Sequence, residues 1–309
     1  IQYSGWHVPI AIGLIVVFNA VAYRGMQTST VMLVSFALVT LFTVAAIIIP
    51  SFFNISISNF QPFFVFPAMN ILLSIFFIAE TFFGWESAVF LSAETKNPTK
   101  VMPKALIYGT VIIAVLAFAL AFTSLGVIPW KEFGESAAPL KDIGGVLFGT
   151  PGLIAFAILV FLSIVGAVAC WIVTAPRLLM SIAEDKLFFV QFAKIHPKYK
   201  SPYVSIIFQA IVVSFLVWIG AGRYETLLHM LIPLILFIYS AVLLSVVILR
   251  FRQPNIKRPY RIWFGKVGPL IVIVFLVFLL LMFIRETHAA WDILRISGLL
   301  VVLGIPAYL

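Results

Sequence analysis

Charge is scarce in this sequence. Only 10% of its 309 residues are Asp, Glu, Lys or Arg, against about 25% in an ordinary soluble domain. Carboxylates are scarcer than cations, eleven against twenty. A single cysteine, Cys170, excludes a disulfide framework. The four histidines, His7, His196, His229 and His288, are scattered, and no two have metal-ligand spacing on a helix face, so no metal site is expected. No GxSxG, P-loop or GxGxxG pattern occurs, so no nucleotide cofactor or nucleophile elbow is implied. Cofactors are expected to be absent. Despite the net charge of +9, no basic stripe with interleaved aromatics runs along a soluble face, so nucleic acid is not an expected partner. The chain opens Ile1-Gln2-Tyr3-Ser4 without a basic leader segment. Beginning on Ile1, it reads as truncated at its start.

Apolar residues are abundant. They make up 63% of the chain, and the mean hydropathy is +1.17. A soluble core of this length could not hide that much apolar surface. About twenty apolar residues cross a hydrocarbon core of ~30 Å as a helix. Nine stretches qualify, near 8–23, 28–49, 65–92, 105–128, 152–183, 203–220, 226–249, 267–284 and 290–309. No linker or tandem repeat divides them. The sequence therefore predicts an all-α polytopic protein with residues 1–309 as one membrane domain and the lipid bilayer as its solvent.

Basic residues orient such a protein. Fifteen of the twenty lysines and arginines fall near 24, 93–104, 177–202 and 250–266, every second connection. Those loops are expected in the cytoplasm, with the N-terminal end of the chain outside and the C-terminal end inside. The longest outer connection, 129–151, carries charges and three prolines, a composition suited to a short surface helix.

Chemistry concentrates in the third stretch, Phe76-Phe77-Ile78-Ala79-Glu80-Thr81-Phe82-Phe83-Gly84-Trp85-Glu86-Ser87-Ala88. Apart from Asp292 near the start of the ninth stretch, it holds the only carboxylates of any expected membrane span. A charge at the bilayer centre costs at least ~2.5–3.5 kcal/mol, so such groups face a cavity or a partner. Six residues apart, Glu80 and Glu86 would lie about 120° apart around an unbroken helix. A break at Gly84 would let both face one gap and would leave backbone carbonyls and amides as ligands. Glu86 has a structural alternative, capping the second half-helix. Glu80 has another, a hydrogen bond to a neighbouring helix. Among span hydroxyls, Ser163, Thr174, Ser214, Tyr239, Ser240 and Ser245 are either ion ligands or bonded back to their own helices. Trp171 is most simply a packing residue.

Three blocks now resemble a known family. The first is Phe83-Gly84-Trp85-Glu86-Ser87, followed by Glu94-Thr95-Lys96-Asn97-Pro98 and Pro103-Lys104-Ala105. The second is Arg177, Ala183-Glu184-Asp185-Lys186-Leu187-Phe188 and His196-Pro197-Lys198-Tyr199-Lys200-Ser201-Pro202. The third is Arg258-Pro259-Tyr260-Arg261. In order and position they are similar to the amino acid–polyamine–organocation (APC) transporters, over nearly the whole chain.

The resemblance implies helices four to twelve of a twelve-helix, inverted-repeat (5+5) transporter. Residues 1–50 would end the first repeat, 60–250 would form the second, and 267–309 the two C-terminal helices. It implies a helix unwound at Gly84, with Glu80, Thr81, Phe83, Gly84, Trp85 and Glu86 at the substrate. Trp171 would stand where some amine exchangers place a site-lining tryptophan. The chain departs from the family pattern at Glu80, at Lys186 and Phe189, and near Thr40, where some proton-coupled members carry a lysine.

The function this implies is secondary active transport of an amino acid or amine by alternating access, in a cell membrane. Glu80 points to a cationic substrate or a protonation switch, and coupling to H+ or Na+ is open. Enzymatic activity is not expected. The competing classes are a membrane-embedded lipid-modifying enzyme, which would show clustered Asp, His or Cys at a membrane face, and a channel, which would show repeated pore loops. The orientation can be checked by labelling. In a Cys170→Ser background, a membrane-impermeant thiol reagent should modify a cysteine at 136 in intact cells and leave one at 196 untouched. The opposite pattern reverses the topology.

Overall fold

The computed structural model describes residues 6–78, 84, 86–92, 95–220, 224–258, 260–261, 264–286, 291, 294–295, 298–299 and 302. Ten helices occupy them: α1 (His7–Tyr23), α2 (Met26–Phe52), α3 (Ala68–Ile78), α4 (Glu86–Phe90), α5 (Pro98–Val127), α6 (Trp130–Glu135), α7 (Pro139–Glu184), α8 (Tyr203–Gly220), α9 (Tyr224–Arg252) and α10 (Val267–Glu286). Short 3₁₀ turns lie at Ile57–Phe60 and Val190–Ala193. No strand occurs among the described residues.

In hydrocarbon, only helices can satisfy every backbone polar group within one segment, and these apolar runs form helices. Among the described residues, five segments are long and apolar enough to cross a bilayer: Met26–Phe52, Pro98–Val127, Pro139–Glu184, Pro233–Arg252 and Val267–Arg285. Val8–Tyr23 and Tyr203–Trp218 are shorter apolar helices. The chain is therefore a polytopic, all-α membrane protein. Of the nine expected stretches, the third is not one rod but two helices, α3 and α4. The ninth, 290–309, falls mostly outside the described residues.

Several helices outrun their apolar segments. α5 begins at Pro98, seven residues before its apolar run, with Asn97 left-handed at φ 53° and Pro98 as its first residue, where a missing N–H loses nothing. α7 begins at Pro139 and kinks at Gly149, with φ 67° and ψ −157°. Residues 139–148 thus form a short helix within the connection 129–151, joined there by α6. The Ser136 hydroxyl donates to the Asp142 carboxylate, and the Lys141 ammonium lies 3.4 Å from the same group.

α7 is the hub. It packs against α1, α2, α4, α5 and α8. One buried cluster joins Ile15 and Phe18 of α1 to Val165, Ala169 and Ile172 of α7. A second, toward the kink, joins Ile47 of α2 to Ile143 and Phe156 of α7 and to Ile128. A third joins Ala22, Val173 and Ile206, tying α1, α7 and α8 together. α9 pairs with α10, and α10 with α3.

The α2–α7 contact depends on a missing side chain. A Cβ at Gly166 would stand 2.7 Å from Phe36 Cβ, well inside contact distance. Overpacking of this kind costs about 1–3 kcal/mol. Gly166→Val should therefore lower the melting temperature of the purified protein by several degrees. Gly13→Ala, with nothing within 4 Å of the added carbon, should be neutral or slightly stabilising. Equal effects at the two positions would remove the close approach as the reason for glycine at 166.

Candidate functional site

The site is built where the third expected span fails to continue. α3 is described to Ile78 and α4 starts at Glu86. Between them Gly84 is a turn residue with φ +103°, outside the right-handed helical region. A residue with a Cβ pays about 1–2 kcal/mol in left-handed backbone, and glycine does not. The Gly84 carbonyl accepts from Ser87 N–H at 3.0 Å, an i→i+3 bond that opens α4. The helix is thus interrupted inside an apolar stretch, at the glycine flanked by two carboxylates in sequence.

α7 supplies the opposite wall. The Trp171 indole lies against Gly84: a Cβ there would be 3.1 Å from Trp171 Cζ2 and 3.6 Å from Nε1. Trp171 is not a core residue. It keeps 43% of its surface exposed, whereas its neighbours Ala169 and Ile172 are buried at 0% and 4%. Cys170, one residue earlier, shares a side-chain hydrogen bond with the buried Ser87. Two adjacent residues of α7 therefore grip the first turn of α4, one by packing and one by polar contact.

Glu80, Thr81, Phe83 and Trp85 lie outside the described residues, and Glu86 is placed by its backbone as the first residue of α4. Of the seven residues singled out from sequence, Gly84 and Trp171 are brought together. Ser87 and Cys170 join them without having been singled out as site residues. The signal for Ser87 was its place three residues after a helix-breaking glycine, where its N–H must find a carbonyl. Cys170 gave no comparable signal.

The span hydroxyls divide as helix chemistry demands. Ser163, Thr174, Ser240 and Ser245 donate to carbonyls four residues back, at 2.8–2.9 Å. Ser163 also reaches Thr43 of α2 at 3.5 Å. Thr40 bonds back to Phe36. Arg177, placed by sequence with the basic loops, instead sits 3% exposed on α7. The Val173 carbonyl accepts from its guanidinium, and Met26 Sδ stands 3.2 Å from the other terminal nitrogen.

Comparison with known proteins places this architecture. The amino acid permease family matches residues 2–304. The chain is 26% identical over 274 residues to a methylthioribose transporter of Bacillus subtilis (strain 168), covering 86% of this chain and 57% of that protein. It is 24% identical over 248 residues to the branched-chain amino acid permease BcaP of the same organism, covering 72% and 48%. Its identity to the serine/threonine exchanger SteT, also of that organism, is 27% over 195 residues, covering 62% and 44%. The chain spans about half the length of these curated relatives.

Helices of this length, with one interrupted inside its apolar stretch, make the chain a multi-pass membrane protein. The chain belongs to the amino acid permease family, within the APC transporters it resembles in sequence.

Gly84 is open to test by substitution. Gly84→Ala introduces both left-handed strain and a contact with Trp171, and uptake by the full-length protein should fall at least tenfold, since the two terms together are worth roughly 2 kcal/mol. Adding Trp171→Ala relieves the contact alone, so stability should recover in part. Uptake should not, if the indole lines the site. Full activity in Gly84→Ala would show that the turn is not needed.

Proposed function

We propose that this chain forms part of a secondary transporter that moves amino acids or amines across the membrane by alternating access. The observation that carries the reading is the interruption at Gly84, facing a half-exposed Trp171 on the hub helix. A break within an apolar span removes intrahelical partners from backbone groups, which must then meet side chains, water or a ligand. Broken helices at mid-membrane depth are where transporters hold substrates and coupling ions. A lipid-modifying enzyme would not need such a break, and a channel would need a continuous pore.

In this reading Gly84 supplies backbone groups to the substrate, and Thr81, Phe83, Trp85 and Trp171 shape its pocket. Glu80 either pairs with a cationic substrate or exchanges a proton. Glu86 caps α4. Residues 60–250 act as one repeat, against which the rest of the transporter moves. The basic loops face the cytoplasm, and H+ or Na+ supplies the driving gradient. The three named relatives carry different solutes by name, so the family alone does not select the substrate. Glu80 is the residue of this chain that favours a cation.

The test is uptake into proteoliposomes containing the full-length protein. Saturation and trans-stimulation by unlabelled substrate are expected of a carrier, and linear unsaturable flux would exclude one. Glu80→Gln keeps the size and removes titration. It should lower affinity for cationic substrate at least tenfold or abolish the pH dependence of uptake, with folding kept. Glu86→Gln should reduce expression more than selectivity. An unchanged affinity and pH profile in Glu80→Gln would make that residue structural.

A further inference from the structure

A groove of about 430 Å³ runs between α1 and α8, away from the Gly84 site. Its floor and walls are apolar, with Val16 and Ala20 on α1 and Ile207 and Ile211 on α8. Val16, Ile207 and Ile211 are 56%, 48% and 64% exposed, so no other described element covers them. The polar residue among them, Asn19, is turned to other partners. It donates to the Ile15 carbonyl at 2.8 Å and accepts from Gln209 at 3.3 Å.

The mouth has the opposite character. Tyr23, Arg24 and Tyr199 line it. Arg24 is exposed, as are Lys198 and Lys200 on either side of Tyr199. The Lys198 ammonium stands 5.5 Å from the Tyr199 ring centroid. No carboxylate lines the groove among the described residues.

This mouth is held in place without a ligand. Ser201 Oγ donates to the Tyr23 carbonyl at 2.7 Å, and His196 N–H donates to the Ser201 carbonyl at 2.8 Å. His196 Nδ1 accepts from the N–H groups of Lys198 and Tyr199, each at 3.2 Å. The rings of Tyr23 and Tyr199 lie 5.7 Å apart. The loop carrying both lysines is thereby fixed to the end of α1.

We infer that the α1–α8 groove binds an anionic phospholipid, its phosphate at Arg24, Lys198 and Lys200 and an acyl chain along Val16, Ala20, Ile207 and Ile211. The order of chemistry along the groove matches that of a lipid: cations, then an aromatic belt at interface depth, then hydrocarbon. Eight residues of helix separate Arg24 from Val16, about 12 Å of rise, enough depth for the upper part of a chain. A free phosphate would use the mouth alone. The lipid uses both ends, and it bridges the two helices that flank the hub.

The experiment uses the full-length protein in nanodiscs of phosphatidylcholine with one third phosphatidylglycerol. Native mass spectrometry counts the lipids retained on release. The parent should keep phosphatidylglycerol over phosphatidylcholine by roughly tenfold or more, because each basic group near an anionic headgroup is worth ~1 kcal/mol. R24Q/K198Q/K200Q should lose that preference. Ala20→Phe, with its cations intact, should lose the retained lipid by filling the groove. K257Q/R261Q, on the same side of the protein and outside the groove, should behave as the parent. Phosphatidylglycerol should raise the melting temperature of the parent and of the control, not of the triple variant.

Retention of the preference in the triple variant overturns the inference. An equal loss in K257Q/R261Q overturns it too, by showing only diffuse attraction. A shift from dimer to monomer in Ala20→Phe with lipid retention unchanged would assign the groove to a second copy of the chain, and would also overturn it.

Discussion

A polypeptide that breaks its helix inside a membrane must answer for every backbone N–H and C=O it releases. That constraint organises this structure. Apart from the kink at Gly149, α7 runs as a helix beside that break, and even the hydroxyls of Ser163, Thr174, Ser240 and Ser245 fold back onto their own helices. At Gly84 the rule is suspended. The turn there is held by Ser87 N–H, by the Ser87–Cys170 contact and by the Trp171 indole. The rest of the fold can be read as support for that exception. α7 holds the turn from one side, and α1, α2 and α8 pack on α7.

The membrane helices were legible because hydrocarbon permits so few structures. An apolar run of sufficient length has one stable conformation there, and the sequence needed no finer code. The legibility stops at the headgroups. Outside the hydrocarbon a helix can continue on ordinary capping and turn chemistry, as α5 does back to Pro98 and α7 back to Pro139. Hydropathy is blind to that continuation. The interruption at Gly84 was legible for the reverse reason. Carboxylates and a glycine inside an apolar run are expensive, so their presence already marked an irregularity.

Other features could not be read from the chain. Arg177 belongs by composition to a basic loop, yet it lies 3% exposed on α7, against Val173 and Met26. Burial of a guanidinium depends on what surrounds it in three dimensions, here the start of α2, 151 residues away. The same holds for Cys170. It lies next to Trp171 in an apolar run, and only the approach of α4 gives it a polar partner in Ser87. Long-range pairs of this kind leave no periodic trace.

The polar end of α1 shows how one small set of bonds serves both packing and surface. The Tyr23 carbonyl, at the last residue of α1, lacks an intrahelical partner, as helix ends do. Ser201 supplies it from the loop before α8. That bond draws Tyr199 against Tyr23 and holds the loop carrying the exposed Lys198 and Lys200 to the end of α1 that Arg24 follows. A requirement of backbone satisfaction thus fixes the position of three cations at the edge of the bundle. Their arrangement follows from capping a helix. Its consequence is a charged rim above an apolar groove, which a bilayer containing anionic lipid would not leave empty.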